Sequence, residues 1–163
     1  DAVDLLINNA GINAGAVGYD GPAGILDIPG STLLEVTQVN AVGPLLTLRA
    51  VLPLLEAAPD AWVVNISSQL GSMEVGLRTG RDVAYNVSKA ALNMLVVCAA
   101  RELEGRGIRS VAFHPGWVRT DMGGAAADIG VEESAAGILA KVDGLSEADN
   151  GGFFRWDGSV HPW

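Results

Sequence analysis

The chain has 163 residues, 49% of them hydrophobic, and a formal net charge of −9. That length and apolar content suit one domain with its own core and exclude a disordered chain. The acidic balance argues against a nucleic-acid partner, whose phosphates it would repel.

Val3-Asp4-Leu5-Leu6-Ile7-Asn8 is a short, mostly apolar run, as expected of a strand buried on both faces of a parallel sheet. Asn8-Asn9-Ala10-Gly11 then turns the chain at the strand's carboxyl end, where open α/β sheets bind ligands. Taken alone, it reads equally as an ordinary Asn/Gly turn. The next stretch is rich in glycine (Gly11, Gly15, Gly18, Gly21, Gly24). A phosphate cradle, however, needs a helix amino terminus directly after the glycines. Residues 25–30 intervene and no G-x-G-x-x-G occurs, so residues 11–30 read as a mobile loop.

Ser31 or Thr32 can cap a long helix over about 32–57, with Leu33, Val36, Val39, Leu45, Leu48, Leu52 and Leu55 among its apolar positions. Asn40 sits mid-helix, which suits either a satisfied buried amide or a functional residue. Pro44, Arg49 and Pro53 make the apolar run 41–58 a poor membrane span.

Trp62-Val63-Val64-Asn65-Ile66 is the next strand, and it delivers Ser67 and Ser68 at its carboxyl end. After a Gly-dotted loop, a helix from about Val83 to Glu104 opens with Tyr85 and Lys89. Residues i and i+4 share one helix face, so a phenol and an ammonium point the same way beside a strand-end hydroxyl. That grouping suits proton transfer at a carbonyl or alcohol, with Lys89 pulling down the phenol's pKa and Ser68 donating to the reacting oxygen. By itself a Y-x-x-x-K pair is more often an ordinary surface pair. Downstream the helix is apolar nearly all round, so it needs cover on more than its sheet-facing side. Cys98, in that run, reads as a small buried hydrophobe. As the single cysteine it allows no internal disulfide, which fits a reducing compartment.

Gly105 and Gly107 stop this helix. Residues 108–114 form a further strand ending at Pro115-Gly116, and residues 119–130 read as a loop that closes over substrate. A short helix over 132–142 and a last strand over 152–156 complete the chain. Strands alternating with helices predict an α/β fold, the carboxyl-terminal half of a doubly wound (Rossmann-type) parallel sheet with flanking helices. No repeat or internal domain boundary appears, and the expectation is one partial domain over 1–163.

Tyr85-x3-Lys89 after Asn65-Ile66-Ser67-Ser68, with Asn8-Asn9-Ala10-Gly11 upstream and Pro115-Gly116 downstream, resembles the short-chain dehydrogenase/reductase family. The ending Gly152-Phe153-Phe154-x-x-Asp157-Gly158 is similar to its carbonyl-reductase, C-factor-like branch. The resemblance implies NAD or NADP as cofactor, a small carbonyl or alcohol substrate and no metal. It implies catalytic roles for Asn40, Ser68, Tyr85 and Lys89, with Asn40 holding a water that links Lys89 to solvent. It assigns cofactor contacts to Asn8, Asn9, Ala10, Gly11, Tyr85, Lys89, Pro115, Gly116, Val118 and Thr120.

Ser67 is then a packing residue, and the loop around Glu74–Arg81 is an insertion of the kind seen in that branch. Related enzymes commonly form dimers or tetramers through the two long helices, with Val96 and Ala99 as candidate contact positions. The expected protein is soluble and cytoplasmic, with no membrane partner and no signal or transit peptide. The family's opening strands and glycine-rich loop are not in this sequence; about three strands are expected to be missing, roughly 70–80 residues at about 30 per βαβ unit. Their absence predicts an exposed apolar edge on the first strand and weak cofactor binding by residues 1–163 alone. Two other readings remain: a non-catalytic remnant serving as an interaction module, and a Ser68/His114 hydrolase, which the missing G-x-S-x-G elbow disfavours.

Overall fold

A computed structural model describes residues 1–76 and 82–163. Four strands form one sheet: β1 (Leu5–Asn8), β2 (Ala61–Ile66), β3 (Ile108–His114) and β4 (Phe153–Arg155). They lie in the order β1-β2-β3-β4, all parallel, with Leu5 opposite Trp62, Ala61 opposite Ile108 and Ala112 opposite Phe153. Parallel neighbours require crossovers. These are supplied by α1 (Gly30–Thr37) and α2 (Gly43–Glu56), then α3 (Val83–Leu103), then α4 (Val131–Asp143).

The strand period of two sorts side chains between the layers. Ala61, Val63 and Ile108 face Leu55 of α2 and Leu103 of α3. Val64, Val111 and Phe113 face the opposite way, onto Ile138 of α4 and Phe154 of β4. Both faces of β2 and β3 are therefore covered, which is why apolar residues such as Val63, Val64, Val111, Ala112 and Phe113 follow one another along them. The runs Gly30–Glu56 and Val83–Arg106 are long and apolar enough to cross a membrane by length and composition. Here Leu48, Val51, Leu52 and Ala99 pack on the sheet instead. β1 pairs only with β2 among the described residues, so its other edge is open, and Ile7 is 40% exposed.

Several expectations are corrected. The helix expected over 32–57 starts at Gly30, capped by Pro29 with no side-chain bond, so neither Ser31 nor Thr32 is the cap. It is also not continuous: Gln38–Val42 is a π-helical turn in which Gly43 N reaches Gln38 O. Pro44 has no N–H to offer the carbonyl four residues back, that of Asn40, and a wider turn accommodates its ring. The glycine-rich stretch 11–30 contains a 3-10 turn, Ala14–Val17, capped by the Asn13 side chain.

Cys98 is exposed rather than buried. Val96 and Ala99 both face the sheet, Val96 against Ala112 and Phe153, so the outward side of α3 belongs to Val87, Met94 and Cys98. Periodicity showed that one side of α3 needed cover, but not which. Of the expected insertion around Glu74–Arg81, residues 77–81 lie outside the described residues.

Candidate active site

Parallel strands place their carboxyl ends along one rim, so Asn8-Asn9, Ser67-Ser68 and Pro115-Gly116 gather there. Beside the rim lies a cavity of about 880 Å³, whose wall includes Asn9, Ser68, Tyr85, Pro115, Gly116 and Trp117. Val118 and Thr120 also line it. Gly116 has φ +87, and a Cβ there would sit 2.6 Å from Ile129 Cδ1, so only glycine fits that turn.

Ser68 is 8% exposed and caps a 3-10 turn, Gln69–Gly71, by accepting from Leu70 N at 3.2 Å. That bond fixes its hydroxyl at the cavity wall. Ser67 also lines the cavity but is buried, and its hydroxyl donates to Asn93 Oδ1 at 2.5 Å.

Tyr85 lies in the first turn of α3, whose cap is Asp82, with Oδ1 accepting from Tyr85 N at 3.0 Å. Burial is the main cause pushing the phenol above its ordinary value of 10.0; Ser68 opposes that and the Asp82 carboxylate adds to it. The expected lowering by Lys89 is not among these influences, and the net direction is upward. Lys89 is itself 3% exposed, and burial brings its ammonium down to about 8. Its Nζ donates to Ile66 O at 2.8 Å and lies 5.7 Å from the centroid of the Tyr85 ring. Sequence spacing put the two residues on one face, but could not give the depth of either.

Asn40 is fully buried behind this pair. Its Oδ1 accepts from Ile12 N at 2.8 Å, while Nδ2 donates to Ile12 O at 2.7 Å and to Ser88 Oγ at 2.9 Å. The side chain is thus a brace between the loop after β1 and α3. A Cβ on Gly11 would lie 3.2 Å from Lys89 Nζ and 3.5 Å from Asn40 Oδ1, so Gly11 abuts both. Asn8 braces the sheet, donating to Asn65 Oδ1 at 2.9 Å, while Asn9 reaches the cavity and Ala10 is exposed.

A family model described as short chain dehydrogenase matches residues 1–128. The chain belongs to the short-chain dehydrogenase family. It is 37% identical to C-signal of Myxococcus xanthus, covering 99% of this chain and 93% of that protein. Among solved structures, an NADPH-bound carbonyl reductase from chicken fatty liver superposes with a TM-score of 0.90 at 39% identity. The carbonyl reductase Sniffer of D. melanogaster superposes with a TM-score of 0.89 at 36% identity. Both alignments cover 99% of this chain, which spans only 66% and 67% of those two structures.

Within this short-chain dehydrogenase chain, two further residues line the cavity that the sequence did not assign to an oxidoreductase site. Asp82 is one, and a cap position ahead of Tyr85 could have pointed to it. His114 is the other: it was weighed only as a hydrolase base, and it lines the cavity with burial depressing it to about 4. His161, Arg155 and Asp157 modulate that shift, the first two lowering it further. Among the described residues no cluster of His, Cys, Asp or Glu could hold a metal ion.

Proposed function

We propose that this chain carries the proton-transfer part of an oxidoreductase site acting between NAD or NADP and a carbonyl/alcohol pair. The observation behind the proposal is the convergence of the Ser68 hydroxyl and Tyr85 on one cavity with the Lys89 ammonium buried behind them. Tyr85 is the general acid in reduction and the base in oxidation. Ser68, held by Leu70 N, donates to the substrate oxygen on which negative charge develops. Lys89, with a pKa of about 8, is charged at neutral pH and opposes the burial that keeps Tyr85 protonated. Asn40 serves through its backbone: Pro44 leaves its carbonyl without the usual helical donor, so it can hold a water that returns protons to Lys89.

The residues suit a dinucleotide. Lys89 Nζ has three N–H groups and, among the described residues, bonds one acceptor, Ile66 O, while Gly11 carries no side chain in the space beside it. The remaining donors fit ribose hydroxyls. Asn8, Asn9, Ala10, Gly11, Pro115, Gly116, Val118 and Thr120 complete the contact surface, on the family's pattern. When bound, the cofactor supplies or takes the hydride.

The sheet is then the carboxyl-terminal part of a single doubly wound domain, whose first three strands continue the sheet beyond the open edge of β1. In a protein carrying those strands, Tyr85→Phe lowers carbonyl reduction at least ~10²-fold, measured by NADPH or NADH consumption. Near-full turnover by Tyr85→Phe would refute the assignment. A second reading, in which the chain acts as an interaction module without turnover, differs in leaving Tyr85→Phe without effect on its function.

A further inference from the structure

Asp82 does more than an amino-terminal cap requires. One oxygen, Oδ1, accepts from Tyr85 N at 3.0 Å, and the other, Oδ2, accepts from Ala14 N at 3.2 Å. Ala14 is 3% exposed and opens the 3-10 turn in the loop after β1. One carboxylate thus joins the turn that carries Tyr85 to a loop 68 residues earlier in the chain, and it also lines the cavity. A lone helix cap needs a single acceptor, which serine or asparagine supplies equally well.

We propose that Asp82 is a positioning residue for Tyr85, its two carboxylate oxygens clamping the tyrosine-bearing turn of α3 against the loop that follows β1. The proposal rests on the oxidoreductase reading for its importance, though not for its geometry. The clamp also has an electrostatic side. A carboxylate here opposes formation of the phenolate, and Asp82 acts in that direction on Tyr85 after the larger effect of burial, against the Ser68 hydroxyl. Lys89 sits one helical turn along, with Nζ 5.7 Å from the Tyr85 ring centroid. Among the described residues, the titratable groups lining the cavity with Tyr85 are Asp82 and His114. His114, at about 4, is neutral wherever the phenol ionises.

The test reads the phenol directly. Tyrosine labelled with ¹³C at Cζ gives two signals, from Tyr19 and Tyr85, and Tyr19→Phe assigns them. At pH 10.5, Asp82→Asn is expected to raise the Tyr85 phenolate-to-phenol ratio roughly 3-fold or more, the equivalent of about half a pH unit. Asp82→Ser keeps the helix cap but loses the charge and the second arm, so it shifts the ratio the same way. Amide exchange at Ala14 quickens about 10-fold or more in Asp82→Ser, as expected for loss of a charge-assisted bond.

In a protein with its amino-terminal strands, the alkaline limb of carbonyl reduction moves to lower pH in Asp82→Asn. A Tyr85 ratio and an Ala14 exchange rate equal to the parent's in either variant would overturn the proposal. Unfolding of both variants would overturn it too, because the residue would then hold the fold rather than the tyrosine. The phenol titration needs no turnover, so its failure is distinct from failure of the oxidoreductase reading, which the Tyr85→Phe rate decides.

Discussion

Acidification from pH 6.5 to about 4 is expected to destabilise the fold through one side chain, His114. It is 5% exposed at the carboxyl end of β3 and packs edge-on to His161, with ring centroids 5.5 Å apart. Burial is the largest cause lowering it from 6.5 to about 4, with His161 and Arg155 adding to the effect and Asp157 opposing it. In that window the unfolded chain binds a proton that the folded chain refuses, so stability rises with pH and is lost as pH falls. At about 1.4 kcal/mol per pH unit, the interval is worth about 3 kcal/mol.

Gly116 N donates to His114 Nδ1 at 3.4 Å, so protonating that nitrogen would set donor against donor and loosen the Pro115–Gly116 turn. The carboxylates act elsewhere on the pH scale. Asp149 lies below its ordinary 3.8 because bonds from Lys141 and Ser146 outweigh the burial that raises it; Asp157 lies below it chiefly through bonds from Ser159. Their contributions are present above about 3.8 and are lost at more acid pH than that of His114. The assay is urea unfolding between pH 4 and 7, comparing the parent with His114→Gln and His161→Gln at low micromolar concentration. His114→Gln should flatten the dependence by about 2–3 kcal/mol. A parent and a His114→Gln variant losing equal stability over pH 6.5 to 4.5 would refute the reasoning.

Three further outcomes are expected. Gly71→Ala would place a Cβ 2.7 Å from the Lys89 carbonyl carbon, pressing the Ser68 turn away from α3; a loss of about 1–3 kcal/mol in thermal or urea unfolding is expected, and unchanged stability would count against the packing. A protein with its amino-terminal strands should dimerise or tetramerise by light scattering, and Met94→Glu, at an outward position 62% exposed, should leave it monomeric; a monomeric parent rules the interface out. Residues 1–163 alone should bind NADH and NADPH no tighter than millimolar by calorimetry, since each missing charge-assisted phosphate contact forgoes roughly 1.5–3 kcal/mol; micromolar binding would reveal a phosphate site elsewhere.

The sequence by itself determined the α/β alternation, all four strands and the grouping of Ser68, Tyr85 and Lys89, because each is local. Continuous apolar runs mark strands covered on both faces, and a four-residue spacing fixes a helix face whatever surrounds it. Only the tertiary structure decided what depends on residues far apart in the chain. The partners of the Asn40 side chain, Ile12 and Ser88, are of this kind, lying 28 and 48 residues away in the chain. The exposure of Cys98 and the inward direction of Val96 follow from which side of α3 lies on the sheet. The acidities of Tyr85, Lys89 and His114 belong here too. Desolvation is the largest influence on all three, and it is set by the walls that other elements build around a side chain rather than by its neighbours in sequence.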